Sequence, residues 1–212
     1  MGQKVNPIGF RIGIGKVWKS RWFVDKKNYP KNLLEDLKIR KFLFEKLRLS
    51  GIVSVEIERL INKMKIIIYV SRPGMVIGRG GSGLEELKKI LVSRISIAEP
   101  EKNVQIEVVD VKNEAELSAQ LVASKIASEL ERRLPFRTVA RKAMERVMES
   151  GGKGVKILIT GRIDGAEIAR HERFVRGKVP LGTIRADIDY AAVPALTKSG
   201  YVGVKVWIHK EG

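Results

Sequence analysis

The sequence predicts an α+β protein in two parts. The first is a helix, two strands, a short helical turn, a glycine loop, a second helix and a strand; the second is two helices packed on a mostly antiparallel sheet. Three observations carry this expectation. Apolar residues recur with a helical period in some segments and alternate with a period of two in others, and no internal repeat links the segments. A glycine cluster, Gly78-Arg79-Gly80-Gly81-Ser82-Gly83, separates a strand-like run from a helix-like one. Pro135 and the Gly151-Gly152 pair divide the second half into helix, helix and strands.

Taken in order, "NLLEDLKIRKFLFEKLRLSG" places Leu33, Leu37, Phe44 and Leu47 at near-helical spacing and stops at Gly51, which predicts a helix. "IVSVEIERL" and "KMKIIIYVS", on either side of Asn62, read as an antiparallel strand pair; the first alternates apolar and polar residues as a strand with one wet face does. Pro73 ends the second strand and "GMVI" forms a short apolar turn. "SGLEELKKILVSRI" then reads as a helix with Leu84, Leu87, Leu91 and Ile95 inward, and "NVQIEVVDV" as a returning strand. "NEAELSAQLVASKIASELERRL" is a long helix with Leu117, Leu121, Ile126 and Leu130 on its apolar face. Pro135 suits the first turn of a new helix, "PFRTVARKAMERVMESGG". After Gly154, "VKILITGRI", a glycine-rich basic connection, "TIRADIDYAAV" and "VGVKVWIHK" supply the strands of a sheet built on these two helices. The expected division is a basic arm with the start of the first helix over 1–38, a domain over 39–110 and a second domain over 111–212.

At 212 residues and 44% hydrophobic content the chain can bury real cores. Its 41 Lys and Arg against 24 Asp and Glu give a net charge of +17, which points to a polyanionic partner. The excess lies at the two ends: residues 1–50 carry net +9 and 151–212 net +5, against +2 and +1 for 51–112 and 113–150. With no Cys there is no disulfide framework, thiolate zinc site or Cys nucleophile, and two histidines, His171 and His209, do not make a metal site. No cofactor, metal or catalytic set is expected. No apolar run approaches membrane length, the N-terminus lacks a secretory core, and no basic helix is backed by an aromatic face. The expectation is a soluble protein with no membrane partner and no small-molecule substrate.

The glycine cluster contains a literal G-x-G-x-x-G. A dinucleotide turn needs its first glycine directly after a strand of a parallel sheet. Here Ser71-Arg72-Pro73-Gly74 and a helix-like turn intervene, the preceding strands read as antiparallel, and no Gly-Lys-Ser/Thr follows; only Asp110 fits the dinucleotide pattern. The other reading takes Gly78, Arg79, Gly80 and Gly81 as a G-x-x-G joining a short helix to a longer one. Glycines there let a nucleic-acid backbone approach, Arg79 supplies charge, and the free N–H groups of the following helix favour an anion. Gly80-Gly81-Ser82-Gly83 is an overlapping frame; the first is preferred because it includes a cation. Helix, two strands, short helix, G-x-x-G, helix, strand is the order of a type II KH domain, which the stretch from Ile39 to Val109 resembles.

Five blocks in order, "MGQKVNPIGFRIGI", "RPGMVIGRGG", "LERRLPFR", "GRIDGAEIARHERFVRGKVPLGTIRADIDYA" and "GVKVWIHK", extend the resemblance to nearly the whole chain. Together they are similar to the bacterial-type family of small-subunit ribosomal protein three. The resemblance implies a cytoplasmic, non-enzymatic, RNA-binding constituent of the small-subunit head. It would have a KH domain and a C-terminal α/β domain and contact ribosomal RNA, messenger RNA and the head proteins numbered ten and fourteen. It also implies that Arg132, Arg133 and Arg137 line the entrance of the messenger channel and assist passage of structured messages. Where that family usually carries two basic residues between the loop glycines, this chain has Arg79-Gly80.

From the residues themselves, Arg133, Arg137 and Arg141 lie four apart and could share a helical side unless Pro135 bends the first off that line, with Lys142 and Arg146 extending the basic character. An arginine comb suits a passing single strand; a solvated face balanced by Glu129, Glu131 and Glu145 is the equal alternative. Arg162, Arg170, Arg173, Arg176, Lys178 and Arg185, set among glycines, would lie along folded RNA. At the N-terminus Lys4, Arg11 and Lys16 are RNA-contact candidates, with Lys19 and Arg21 interleaved with Trp18, Trp22 and Phe23. The aromatics either join an RNA-binding arm or anchor it to its own domain. Asp187 and Asp189 alternate on one strand and read as solvent-facing, not as an acid/base pair, and His171 reads as a surface or RNA contact. The competing functions are a free-standing KH protein that binds many RNAs reversibly and, more distantly, a nucleotide-dependent oxidoreductase.

Overall fold

A computed structural model describes residues 3–60, 63–93 and 103–210. The chain forms two compact units, one of Trp18–Lys112 and the other of Met1–Val17 with Asn113–Gly212. The stretch 1–38 is thus shared between them, because a short helix α1 (Pro7–Arg11) packs on a strand near the C-terminus.

In the first unit, β1 (Ser20–Arg21), α2 (Tyr29–Lys46), β2 (Ile52–Arg59), β3 (Met64–Val70), α3 (Pro73–Ile77), α4 (Ser82–Val92) and β4 (Val104–Asp110) follow in order. The sheet order is β1-β2-β3-β4, with β2 and β3 antiparallel and β4 parallel to β3. β3 is apolar nearly throughout, with Met64, Ile66, Ile68 and Val70 buried on one face and Ile67 between half-buried Lys65 and Tyr69 on the other, whereas β2 alternates. The core joins Ile57, Ile66 and Ile68 to Leu87 and Leu91 of α4. Leu84 is only half-buried, and Ile95 lies outside the described residues. Helix α2 turns a different stripe inward from the one its leucines suggest. Ile39, Leu43 and Leu47 are buried while Leu33, Leu37 and Phe44 are exposed.

The polar residue Asp36 sets that rotation. It is fully buried and accepts hydrogen bonds from Ser20 Oγ (3.0 Å), Trp22 Nε1 (2.8 Å) and Arg59 Nε (2.8 Å). Arg59 also pairs with Glu35 at 2.6 Å. The network fixes the entering chain and β2 to one face of α2, so of the two roles open to the aromatics Trp22 takes the anchoring one, packed against Tyr29. Trp18 and Phe23 remain exposed.

In the second unit, α5 (Ala119–Glu131) and α6 (Phe136–Glu149) cover one face of β5 (Gly154–Gly161), β6 (Arg170–Gly177), β7 (Ile188–Thr197) and β8 (Gly200–His209). The sheet is antiparallel in the order β6-β5-β8-β7. The long helix expected from Asn113 begins at Ala119 after a 3₁₀ stretch over Lys112–Leu117, and Val122, Ala123, Ile126, Ala127 and Leu130 face the core; Leu121 is only half-buried. Pro135 takes the N-cap position of α6, and Gly151, at φ 90°, closes it with N–H groups of Gly151 and Gly152 returning to Met148 and Val147. Two strand expectations are corrected. The basic connection contains β6, an edge strand along β5. β7 starts at Ile188, leaving Thr183–Asp187 in a loop, and runs on through Pro194.

Candidate nucleic-acid interface

The residues between α3 and α4 are Gly78, Arg79, Gly80 and Gly81, so the frame with the cation is the loop, while Ser82 and Gly83 belong to α4. The four glycines of the cluster divide into two kinds. A Cβ on Gly78 would meet the Gly83 amide at 2.9 Å, and one on Gly83 would meet the Val76 carbonyl at 2.7 Å, so these two permit the helices to close together. Gly80 and Gly81 have φ of 61° and 86° with open space around them. Their conformation presents backbone to the outside, with Arg79 exposed beside them and Ser82 Oγ donating to the Arg79 carbonyl. That arrangement can receive a phosphate without steric obstruction.

The second basic region is the connection between α5 and α6. Helix α5 ends with the Arg133 N–H donating to the Leu130 carbonyl (2.9 Å) and the Leu134 N–H to that of Glu129 (3.2 Å). This closure puts Arg133 at φ 63°, one of two non-glycine residues with positive φ among the described residues; the other is Asp164 at 53°. Both line one cleft of about 390 Å³, together with Arg162 and Lys198 over a floor that includes Leu130 and Ile159. Arg133 is therefore not in line with Arg137 and Arg141, as an unbroken helical comb would require. Arg132 and Arg133 project from the connection, and Arg137 and Arg141 from α6, with the Arg137 guanidinium 5.5 Å from the Phe136 ring centroid. Arg132, Arg133, Arg137, Arg141 and Lys142 are all exposed, and none makes an ion pair among the described residues. Of the acidic residues beside them, Glu131 accepts the Leu196 N–H through its Oε1.

The remaining candidates scatter. Arg11 is corrected outright: it is 1% exposed, and its guanidinium donates to the carbonyls of Pro7, Leu181, Thr183 and Ala186 at 2.8 to 3.1 Å. Five N–H donors on a rigid fork suit it to stitch a loop rather than meet a phosphate. Lys16 pairs with Asp187 at 2.5 Å, so that half-buried carboxylate holds the N-terminal arm. Asp189 is structural too. Its Oδ2 accepts the Ala119 N–H at 2.9 Å, capping α5 from the sheet in place of Ser118, whose side chain makes no capping bond. Arg21 is neutralised between Glu56 and Glu58. Lys4, Arg162, Arg170, Arg173, Arg176, Lys178 and His171 are exposed. On β6 the alternation sends Arg170 and Arg176 to the side of Phe174, and Arg173 to the opposite side, so the basic block serves two surfaces.

The family described as "KH domain" matches residues 38–116, and that described as "Ribosomal protein S3, C-terminal domain" matches residues 126–208. Among curated relatives, the small ribosomal subunit protein uS3 of Desulfitobacterium hafniense is 51% identical over 210 residues, covering 99% of this chain and 93% of that protein. Those of Persephonella marina and Clostridium perfringens are 51% and 49% identical, each over 99% of this chain and over 90% and 92% of their own lengths.

Proposed function

Because the chain belongs to the small ribosomal subunit protein uS3 family, and so is a non-enzymatic, RNA-binding constituent of the small subunit in the ribosome, we propose that it lines the entrance of the messenger channel. Arg132, Arg133 and Arg137 meet the incoming strand there, with Arg141 and Lys142 extending the contact. The observation that carries this reading is the basic connection between α5 and α6: exposed guanidinium groups without ion pairs among the described residues, one of them held at a left-handed backbone position. Guanidinium groups pair with phosphates of any sequence and stack on splayed bases, so they can hold separated strands without reading them. No nucleotide is hydrolysed by the protein; the work of opening a message comes from translocation, and the arginines bias the open form.

The Gly78–Gly81 loop is proposed to hold a backbone phosphate, with Lys4, Arg162, Arg170, Arg173, Arg176 and Lys178 meeting ribosomal RNA. The head proteins numbered ten and fourteen are the proposed protein neighbours. The test is a photocrosslinking amino acid in place of Arg137 in ribosomes stalled on a defined message. Crosslinks to the message downstream of the decoding site are expected; crosslinks confined to ribosomal RNA would overturn the channel assignment.

A further inference from the structure

The face of the C-terminal sheet opposite α5 and α6 has an unusual composition. Strand alternation and register place Val175, Lys156, Trp207 and Tyr190 in one cross-strand row, with Arg173 and Lys205 in the next. None of the outward positions of β5, β6, β7 and β8 is Asp or Glu. The N-terminal segment walls one side, so that Lys4 and Phe10 line a groove of about 600 Å³ with Lys156, Tyr190 and Trp207.

Lys156 sits in this groove with 8% of its surface exposed, and its Nζ lies 4.7 Å from the Trp207 ring centroid. Trp207 in turn packs on Tyr190, ring centroids 5.2 Å apart. Among the described residues the ammonium has neither a carboxylate nor a hydrogen-bond acceptor. Burial lowers its pKa, and the charges of Lys4 and Arg173 lower it further. A buried cation among like charges costs stability unless an anion joins it. A ring face compensates only in part.

We infer that this groove is a binding site for a backbone phosphate of ribosomal RNA, with Lys156 at its base and Lys4 and Arg173 as flanking donors. A lone protein carboxylate would answer one of these charges. A polyanion answers them in succession, and the line of cations continuing to Lys205 on a face without acids matches a nucleic-acid strand. The inference rests on the reading of the chain as an RNA-binding ribosomal protein, and gives that reading a third surface, distinct from the Gly78–Gly81 loop and the Arg132–Arg133 connection.

Two variants of the full chain test it. Lys156→Met keeps the stem against Trp207 and removes the charge. It is expected to raise the thermal midpoint of the free protein, yet weaken retention on purified small subunits in a salt wash by about tenfold, the scale of a lost charge-assisted bond. A lower midpoint, or unchanged retention, would overturn the site. A diazirine lysine analogue in place of Lys205, activated in intact small subunits, is expected to crosslink to ribosomal RNA; a crosslink to a protein, or none, would overturn it. Wild-type chain sedimented with small subunits on a sucrose gradient separates the two readings. If it sediments with small subunits while the variants fail these expectations, only the groove is wrong, and if it does not sediment with them the ribosomal reading fails first.

Discussion

The Arg133 amide donates to the Leu130 carbonyl at 2.9 Å while its own backbone turns left-handed, so an arginine closes α5 where a glycine would fit without strain. The left-handed region costs an ordinary residue roughly 1–2 kcal/mol. Arg133→Gly is therefore expected to stabilise the free protein by about 1 kcal/mol in denaturant unfolding, while slowing translation through a structured message as much as Arg133→Ala does. A Gly variant less stable than wild type would show that the side chain serves the fold.

Arg11 predicts the reverse combination. Arg11→Met strands the carbonyls of Leu181 and Ala186 in a part-buried loop and leaves that of Thr183 only the Ala186 N–H, at a cost of about 2 kcal/mol if each orphaned acceptor costs about 1. Salt dependence of RNA binding by the protein that remains folded should not change. A flatter dependence would return Arg11 to the RNA-contacting set.

These two residues show what was legible in the sequence. The glycine loop, the antiparallel pair and the two helices were readable because period and punctuation are local. Arg11 was not, since a solvated arginine and one stitched to carbonyls some 170 positions away look alike in sequence. β6 was read as a connection because an edge strand, exposed on both sides, keeps only Phe174 as an inward apolar marker. The rotation of α2 depended on Asp36 finding Arg59 and Trp22, and the cap of α5 on Asp189 arriving from another strand; neither pairing leaves a signal at fixed spacing.

The glycine loop gives a third prediction. Gly80→Asp can be accommodated in open space at a backbone conformation Asp tolerates, and together with Arg79→Asp it puts carboxylates where a phosphate would sit. Binding of short single-stranded RNA by the full chain should weaken, and the slope of log affinity against log salt should flatten by about 0.7 for each lost contact. Unchanged binding at moderate salt would remove the loop from the RNA surface.

Lys156 gives a pH dependence. Its folded pKa lies below the ordinary 10.5 because of burial first and then Lys4 and Arg173. Between the folded value and 10.5 the unfolded chain binds the proton more than the folded one, so stability rises with pH through that window, and the penalty is fully present below it. The thermal midpoint of Lys156→Met should exceed that of wild type near neutral pH, and the gap should shrink as pH approaches 10.5. A gap independent of pH would contradict this.

The most direct measurement of the central claim is the rate at which ribosomes carrying Arg132→Ala, Arg133→Ala and Arg137→Ala together cross a stable messenger hairpin, compared with an unstructured message of equal length. The account predicts normal incorporation of the chain into small subunits, an unchanged rate on the unstructured message and a slowed rate at the hairpin. Equal slowing on both messages, or none on either, would contradict it.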